Sequence, residues 1–207
     1  MTLKSSTRQT APSLIFPFNT PPKIGSPVSI SEGIHWCRHQ LPFALDHINT
    51  WLLEDKGRSV IVDTGIADDL SQDGWNKILG SGQHSSEISK IIVTHLHPDH
   101  IGNASWLNSR TNAPVWMTQA EFLTAQAVFE KNPSHTTSAI DALFRRHGLP
   151  SNGSMSVAEK GDHYEKLVGS LPTSFIKITA DDLLKIGGNF WRAIVGSGHS
   201  PEHLSLY

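Results

Sequence analysis

Apolar residues in this chain cluster first into short, continuous, mostly β-branched runs: Val60-Ile61-Val62, Ile91-Ile92-Val93 and Ala193-Ile194-Val195. Runs of this kind suit strands buried on both faces. Residues 28–38 can form a strand before Leu41-Pro42 turns the chain. Residues 48–53 and 59–63 read as a strand pair joined by Glu54-Asp55-Lys56-Gly57. Wider apolar spacing predicts helices over 68–79, 101–108, 118–130 and 138–147, the last closed by Gly148 and Pro150, with 152–167 a further helical candidate. Strands are predicted again over 88–94, 114–117, 174–178, 183–186 and 190–195, with Gly187-Gly188-Asn189 turning the last pair.

Strand pairs, then helices, then strand pairs predict an α+β protein in which sheet layers are covered by helices. Residues 1–27, rich in Ser, Thr and Pro, read as an irregular N-terminal arm, and residues 28–207 as one domain. A last strand pattern starts at His203 and is still running at Tyr207, so the expectation is a domain whose C-terminal part is missing.

Composition narrows the function. With 38% hydrophobic residues, the 207-residue chain can build a core. A net charge of −2 argues against nucleic acid or an anionic membrane as the main partner. No apolar run approaches the ~20 residues of a membrane span. A single cysteine, Cys37, excludes an internal disulfide and fits a reducing cytoplasm, so the expected setting is cytoplasmic with a small-molecule substrate. Cys37 itself reads as a small buried residue and the tryptophans as core. The unusual count is histidine, at 12.

Positions decide what the histidines do. Thr94-His95-Leu96-His97-Pro98-Asp99-His100 follows a buried strand. Alternation along extended backbone puts His95 and His97 on one side. Pro98 ends pairing, and Asp99 and His100 begin the next helix, folded back towards the same pocket. Imidazole and carboxylate donors suit Zn²⁺, and also Fe or Mn. Asp99 could alternatively cap that helix. The small-residue segment Gly196-Ser197-Gly198-His199 follows a second strand and offers His199 as a third nitrogen ligand. His203 reads as a structural, hydrogen-bonded histidine. His35, His39, His84, His135, His147 and His163 have no ligand-like partners along the sequence, while His47 is a candidate for the pocket wall.

His95-Leu96-His97-Pro98-Asp99-His100 matches the HxHxDH signature of the metallo-β-lactamase superfamily. Gly198-His199-Ser200-Pro201-Glu202-His203 resembles that family's GHTPGH-type element, and Asp63-Thr64-Gly65 its VDTG turn. Residues 41–49 resemble a glyoxalase II-like branch. The resemblance implies an αββα four-layer sandwich with metals at one edge. It implies that His95, His97 and His199 hold one metal, and that Asp99 and His100 hold a second. Asp63 is either an ordinary turn aspartate or a carboxylate that orients the ligands. The bridging Asp and last His that the family supplies further along have no counterpart before Tyr207.

The implied reaction is hydrolysis by metal-activated water, with Asp99 as catalytic carboxylate and no covalent enzyme intermediate. A thioester of the hydroxyacylglutathione kind is the favoured substrate, ahead of lactone, β-lactam and phosphoester. The alternatives are a single-iron sulfur dioxygenase on the same fold and a non-catalytic metal-binding fragment.

Overall fold

The computed structural model describes residues 14–82, 84, 87–150 and 164–207. Four strands open the large sheet as an antiparallel meander: β1 (Val28–Ser31), β2 (Ile34–Gln40), β3 (His47–Asp55) and β4 (Arg58–Val62). β5 (Ile88–Ile92), β6 (Val115–Thr118) and β7 (Ile176–Ile178) continue it in parallel, giving the order β1-β2-β3-β4-β5-β6-β7. A second sheet, antiparallel and ordered β10-β9-β8, contains β8 (Leu183–Ile186), β9 (Asn189–Gly196) and β10 (His203–Leu206). The helices are α1 (Asp69–Gly80), α2 (Pro98–Ile101), α3 (Ala104–Thr111), α4 (Gln119–Phe129), α5 (Thr137–Arg146) and α6 (Tyr164–Val168). None of the described helices is long and apolar enough to cross a membrane.

The pleat explains the continuous apolar runs. Leu52, Ile61, Ile91 and Val93 face the helices and pack with Trp75, Ile78, Leu107 and Phe122. Their neighbours Leu53, Val60, Val62 and Ile92 face the small sheet and meet Leu184, Ile186, Ala193 and Leu204. Each such side chain contributes roughly 1.5–3 kcal/mol by leaving water. The run Ala193-Ile194-Val195 departs from the expectation of two buried faces. Ala193 is buried, but Ile194 is 46% exposed beside Leu183 and Phe190 on the outer face of the small sheet. The described residues therefore form three layers of the implied four: helices, large sheet and small sheet.

Two further boundaries differ from the sequence reading. The strand expected over 28–38 is a hairpin, because Gly33 turns the chain at φ 68°. The helix expected over 101–108 is two helices broken at Gly102-Asn103. Gly102 lies so close to the Gly65 carbonyl and Ile66 that a Cβ would collide, and Asn103 donates through Nδ2 to the carbonyls of Thr64 and Ile66. That clamp holds the turn after β4 against the histidine-bearing segment. The helix expected over 152–167 falls mostly on residues 151–163, outside the described residues, as do residues 1–13 of the arm; 14–27 are irregular and mostly exposed.

Trp75 is fully buried and donates from Nε1 to the Thr64 carbonyl at 2.8 Å. Cys37 is buried as expected. Burial pushes its thiol up to about 12, against a hydrogen bond with Thr50 that pulls it down.

Candidate metal centre

Parallel β4, β5 and β6 end at the same edge of the large sheet, so the segments after Val62, Ile92 and Thr118 open onto one place. Loops at such an edge are where a rigid scaffold carries its chemistry. The segment between β9 and β10 reaches the same edge from the small sheet, and Leu204 N–H donates to the Thr94 carbonyl at 3.0 Å. Four stretches far apart in sequence are thereby brought together.

His95, His97 and His199 converge. His95 Nε2 lies 2.9 Å from His97 Nδ1, which lies 3.1 Å from His199 Nε2, which lies 3.1 Å from His95 Nε2. Zn–N bonds of about 2.0–2.1 Å in a tetrahedral site place ligand nitrogens about 3.3 Å apart, so this triangle needs to widen by only a few tenths of an ångström. The donor set therefore fits a divalent transition metal. Burial, reinforced by the neighbouring imidazoles, pushes His95 down to about 2, and burial with His199 lowers His97. Both are held in the neutral form that binds metal.

The Thr94 hydroxyl fixes the tautomer of His95. Asp63 is an acceptor when ionised, and Thr94 Oγ1 donates its one proton to it, at 2.9 Å from Oδ2. The same oxygen then accepts from His95 Nδ1–H at 2.9 Å, which leaves the Nε2 lone pair facing His97 and His199. Asp63 also accepts from the Thr94 backbone N–H at 2.8 Å and from His100 Nδ1–H at 2.8 Å. Its left-handed backbone, φ 62°, makes these three bonds compatible with the turn after β4.

Asp99 and His100 sit side by side on the first turn of α2, with His100 Nε2 3.4 Å from Asp99 Oδ2. The N-cap position of α2 is His97, not Asp99. Burial disfavours a protonated His100, but Asp63 and Asp99 prevail and raise it to about 10. Burial would raise the Asp99 carboxyl, but the His100 hydrogen bond and charge hold it below the usual range.

Two parts of the site escaped the sequence. His203, read as a structural histidine, stands with its ring centroid 4.7 Å from that of His95. It lines a cavity of about 420 Å³ between the sheets together with Asp63, Thr94 and His100. Glu121 is fully buried on α4. One carboxylate oxygen accepts from Leu96 N–H at 2.8 Å and the other from Glu202 N–H at 2.6 Å, tying the His95–His97 segment to the His199–His203 segment. Tyr164 completes the support by donating to the Leu96 carbonyl at 2.7 Å. The available signal was Thr118-Gln119-Ala120-Glu121, whose T-x-x-E spacing reads as a capping box. In the structure Thr118 makes no side-chain cap, and Glu121 reaches across to the two ligand segments instead. His47, a candidate for the pocket wall, bonds through Nδ1 to Asp46 at 2.6 Å.

The chain is similar to a β-lactamase domain protein from Burkholderia ambifaria, 34% identical with a TM-score of 0.73, covering 91% of this chain and 55% of that one. A metallo-β-lactamase family protein from Thermus thermophilus shares the fold, with a TM-score of 0.70 at 22% identity over 86% of this chain and 56% of that one. Among curated proteins, a hydroxyacylglutathione hydrolase from Idiomarina loihiensis is 25% identical over 166 residues, 79% of this chain and 44% of that protein. The chain thus spans about half the length of the relatives it matches. The profile of the metallo-beta-lactamase superfamily matches residues 44–207, a stretch that holds every residue of the site, and the chain belongs to that superfamily.

Proposed function

We propose that this chain carries the metal centre of a hydrolase that cleaves an ester-like bond in a small molecule, a thioester of the hydroxyacylglutathione kind being the favoured substrate. The observation that carries the reading is the triangle of imidazole nitrogens at 2.9–3.1 Å, drawn from two separate strand ends. Under this reading His95, His97 and His199 hold one ion and Asp99 and His100 a second, zinc first, with iron or manganese as alternatives. A bound divalent ion lowers the pKa of water to about 7 and stabilises negative charge on a carbonyl oxygen.

The chain's own residues do the rest. Asp63 accepts hydrogen bonds from Thr94 Oγ1 and His100 Nδ1, which leaves the His95 Nε2 lone pair directed at the first ion. In the metal-free chain His100 holds a proton against Asp99, and the second ion displaces it from Nε2. Asp99, held ionised at neutral pH, orients the attacking water through its carboxylate. The cavity beside His100 and His203 has the volume of a small-molecule pocket. The thioester choice is supported by the likeness to the Idiomarina loihiensis protein.

The test is turnover by the metal-loaded chain on a panel of hydroxyacylglutathione thioester, lactone, β-lactam and phosphoester. Thioester cleavage that disappears in His95→Ala/His97→Ala is the expected result. Metal bound with no thioester turnover removes the substrate assignment. Purified protein that takes up no transition metal removes the hydrolase reading itself.

A further inference from the structure

A second group of metal-ligand side chains lies at the other end of the large sheet. His35 is on β2, Glu54 on β3, and His84 lies between α1 and β5. β2 and β3 pair with His35 opposite Leu52, so His35 and Glu54 are diagonal neighbours on the helix-facing side. His35 Nε2 lies 2.8 Å from Glu54 Oε1. The His84 ring lies over His35 with centroids 4.3 Å apart at 59°. One donor atom from each residue falls within 4.8 Å of the others. His84 precedes β5 and His95 follows it, so the two groups sit at opposite ends of that strand.

The arrangement is more than an ion pair. A His–carboxylate contact needs one imidazole; here a second packs against it, tilted by 59°, and two imidazolium ions at this distance would repel. His35 is 8% exposed and fixed in the sheet. Glu54 has its side chain 60% exposed, so rotation of that side chain can close the triangle to the spacing an ion requires. Two imidazoles and a carboxylate form an N₂O set suited to Zn²⁺, Cu²⁺ or Ni²⁺, with water filling the remaining positions.

We propose that His35, Glu54 and His84 form an accessory divalent transition-metal site, independent of the His95–His97–His199 centre. A bound ion ties the link between α1 and β5 to the β2–β3 hairpin.

The test is zinc titration, by competition with a chromophoric chelator, of the full chain carrying His95→Ala and His97→Ala. The site predicts that an equivalent of zinc remains bound, and that adding His84→Ala or Glu54→Gln weakens it by more than about tenfold. Cobalt loading of the His95→Ala/His97→Ala protein should give visible absorption that His84→Ala removes. If the double variant does not fold, the wild-type chain is compared with His84→Ala alone. Loss of an equivalent with hydrolytic activity unchanged supports the site. Absence of residual zinc, or residual zinc indifferent to His84→Ala, overturns it.

Discussion

The two imidazole groups at opposite ends of β5 use the same donor types but are supported very differently. At the C-terminal end, buried carboxylates hold the segments that carry the imidazoles: Asp63, through Thr94, orients His95, and Glu121 bridges Leu96 and Glu202. At the N-terminal end, His35 is anchored in the sheet, but the Glu54 side chain is mostly exposed and hydrogen-bonds His35 among the described residues. The hydrogen bonds of the buried Asp63 and Glu121 carboxylates make the first group preorganised, whereas the second must close around its ion. Preorganisation, more than the ligand types, distinguishes the proposed hydrolytic centre from the proposed tethering site.

The largest break in that contrast should come from Glu121→Ala. It strands the buried Leu96 N–H and the part-buried Glu202 N–H and leaves a void, for a loss of about 4 kcal/mol. Urea denaturation measures it, and metal affinity at the His95 centre should fall with it. Little change in either would mean that the two ligand segments hold their positions without the bridge.

Acid should come next, through the other end of β2. His39 is fully buried, donates to or accepts from Thr50 Oγ1 at 3.1 Å, and packs on Trp75. Burial lowers it to about 4, with Asp68 pulling weakly the other way. As pH falls below about 6.5 the unfolded chain takes a proton that folded His39 refuses, so stability present above that pH declines until about pH 4, by at most about 3 kcal/mol. His95 contributes in the same direction, so the portion due to His39 is the difference between wild type and His39→Gln, measured at pH 7 and pH 4.5. Equal pH slopes in the two proteins would remove His39 from the account.

Asp63→Asn keeps the left-handed backbone, which Asn tolerates. It places an amide where three donors need an acceptor. Zinc affinity at the main centre should fall about 10–100-fold, while the His84 site is untouched. The smallest effect closes the comparison: Glu54→Gln should change metal-free stability by less than about 0.5 kcal/mol, since the side chain is exposed.

How legible the molecule is from sequence follows the same divide. His95, His97, Asp99 and His100 are readable because one strand end and one turn carry them all, within six residues, after an apolar run that announces the strand. The pleat likewise exposes the core through Val60-Ile61-Val62, each residue of which is buried. Glu121 is not readable that way. It lies on a helix with ordinary spacing, and its partners Leu96 and Glu202 are 25 and 81 residues away. The His35, Glu54 and His84 group needs three chain segments to meet, which only the sheet register reveals. His203 fails for a subtler reason: strand patterning shows that its position alternates, but not that a second sheet brings its ring over His95. Ile194 shows the converse, where an apolar triplet suggests two buried faces and the fold covers one.

The central claim is that three imidazoles from two strand ends share one ion. X-ray absorption at the zinc edge on the His84→Ala chain, loaded with a single equivalent, tests it without interference from the other end of the sheet. The account predicts three imidazole ligands at about 2.0–2.1 Å. A spectrum with a single imidazole, or zinc that washes away on dialysis, would contradict it.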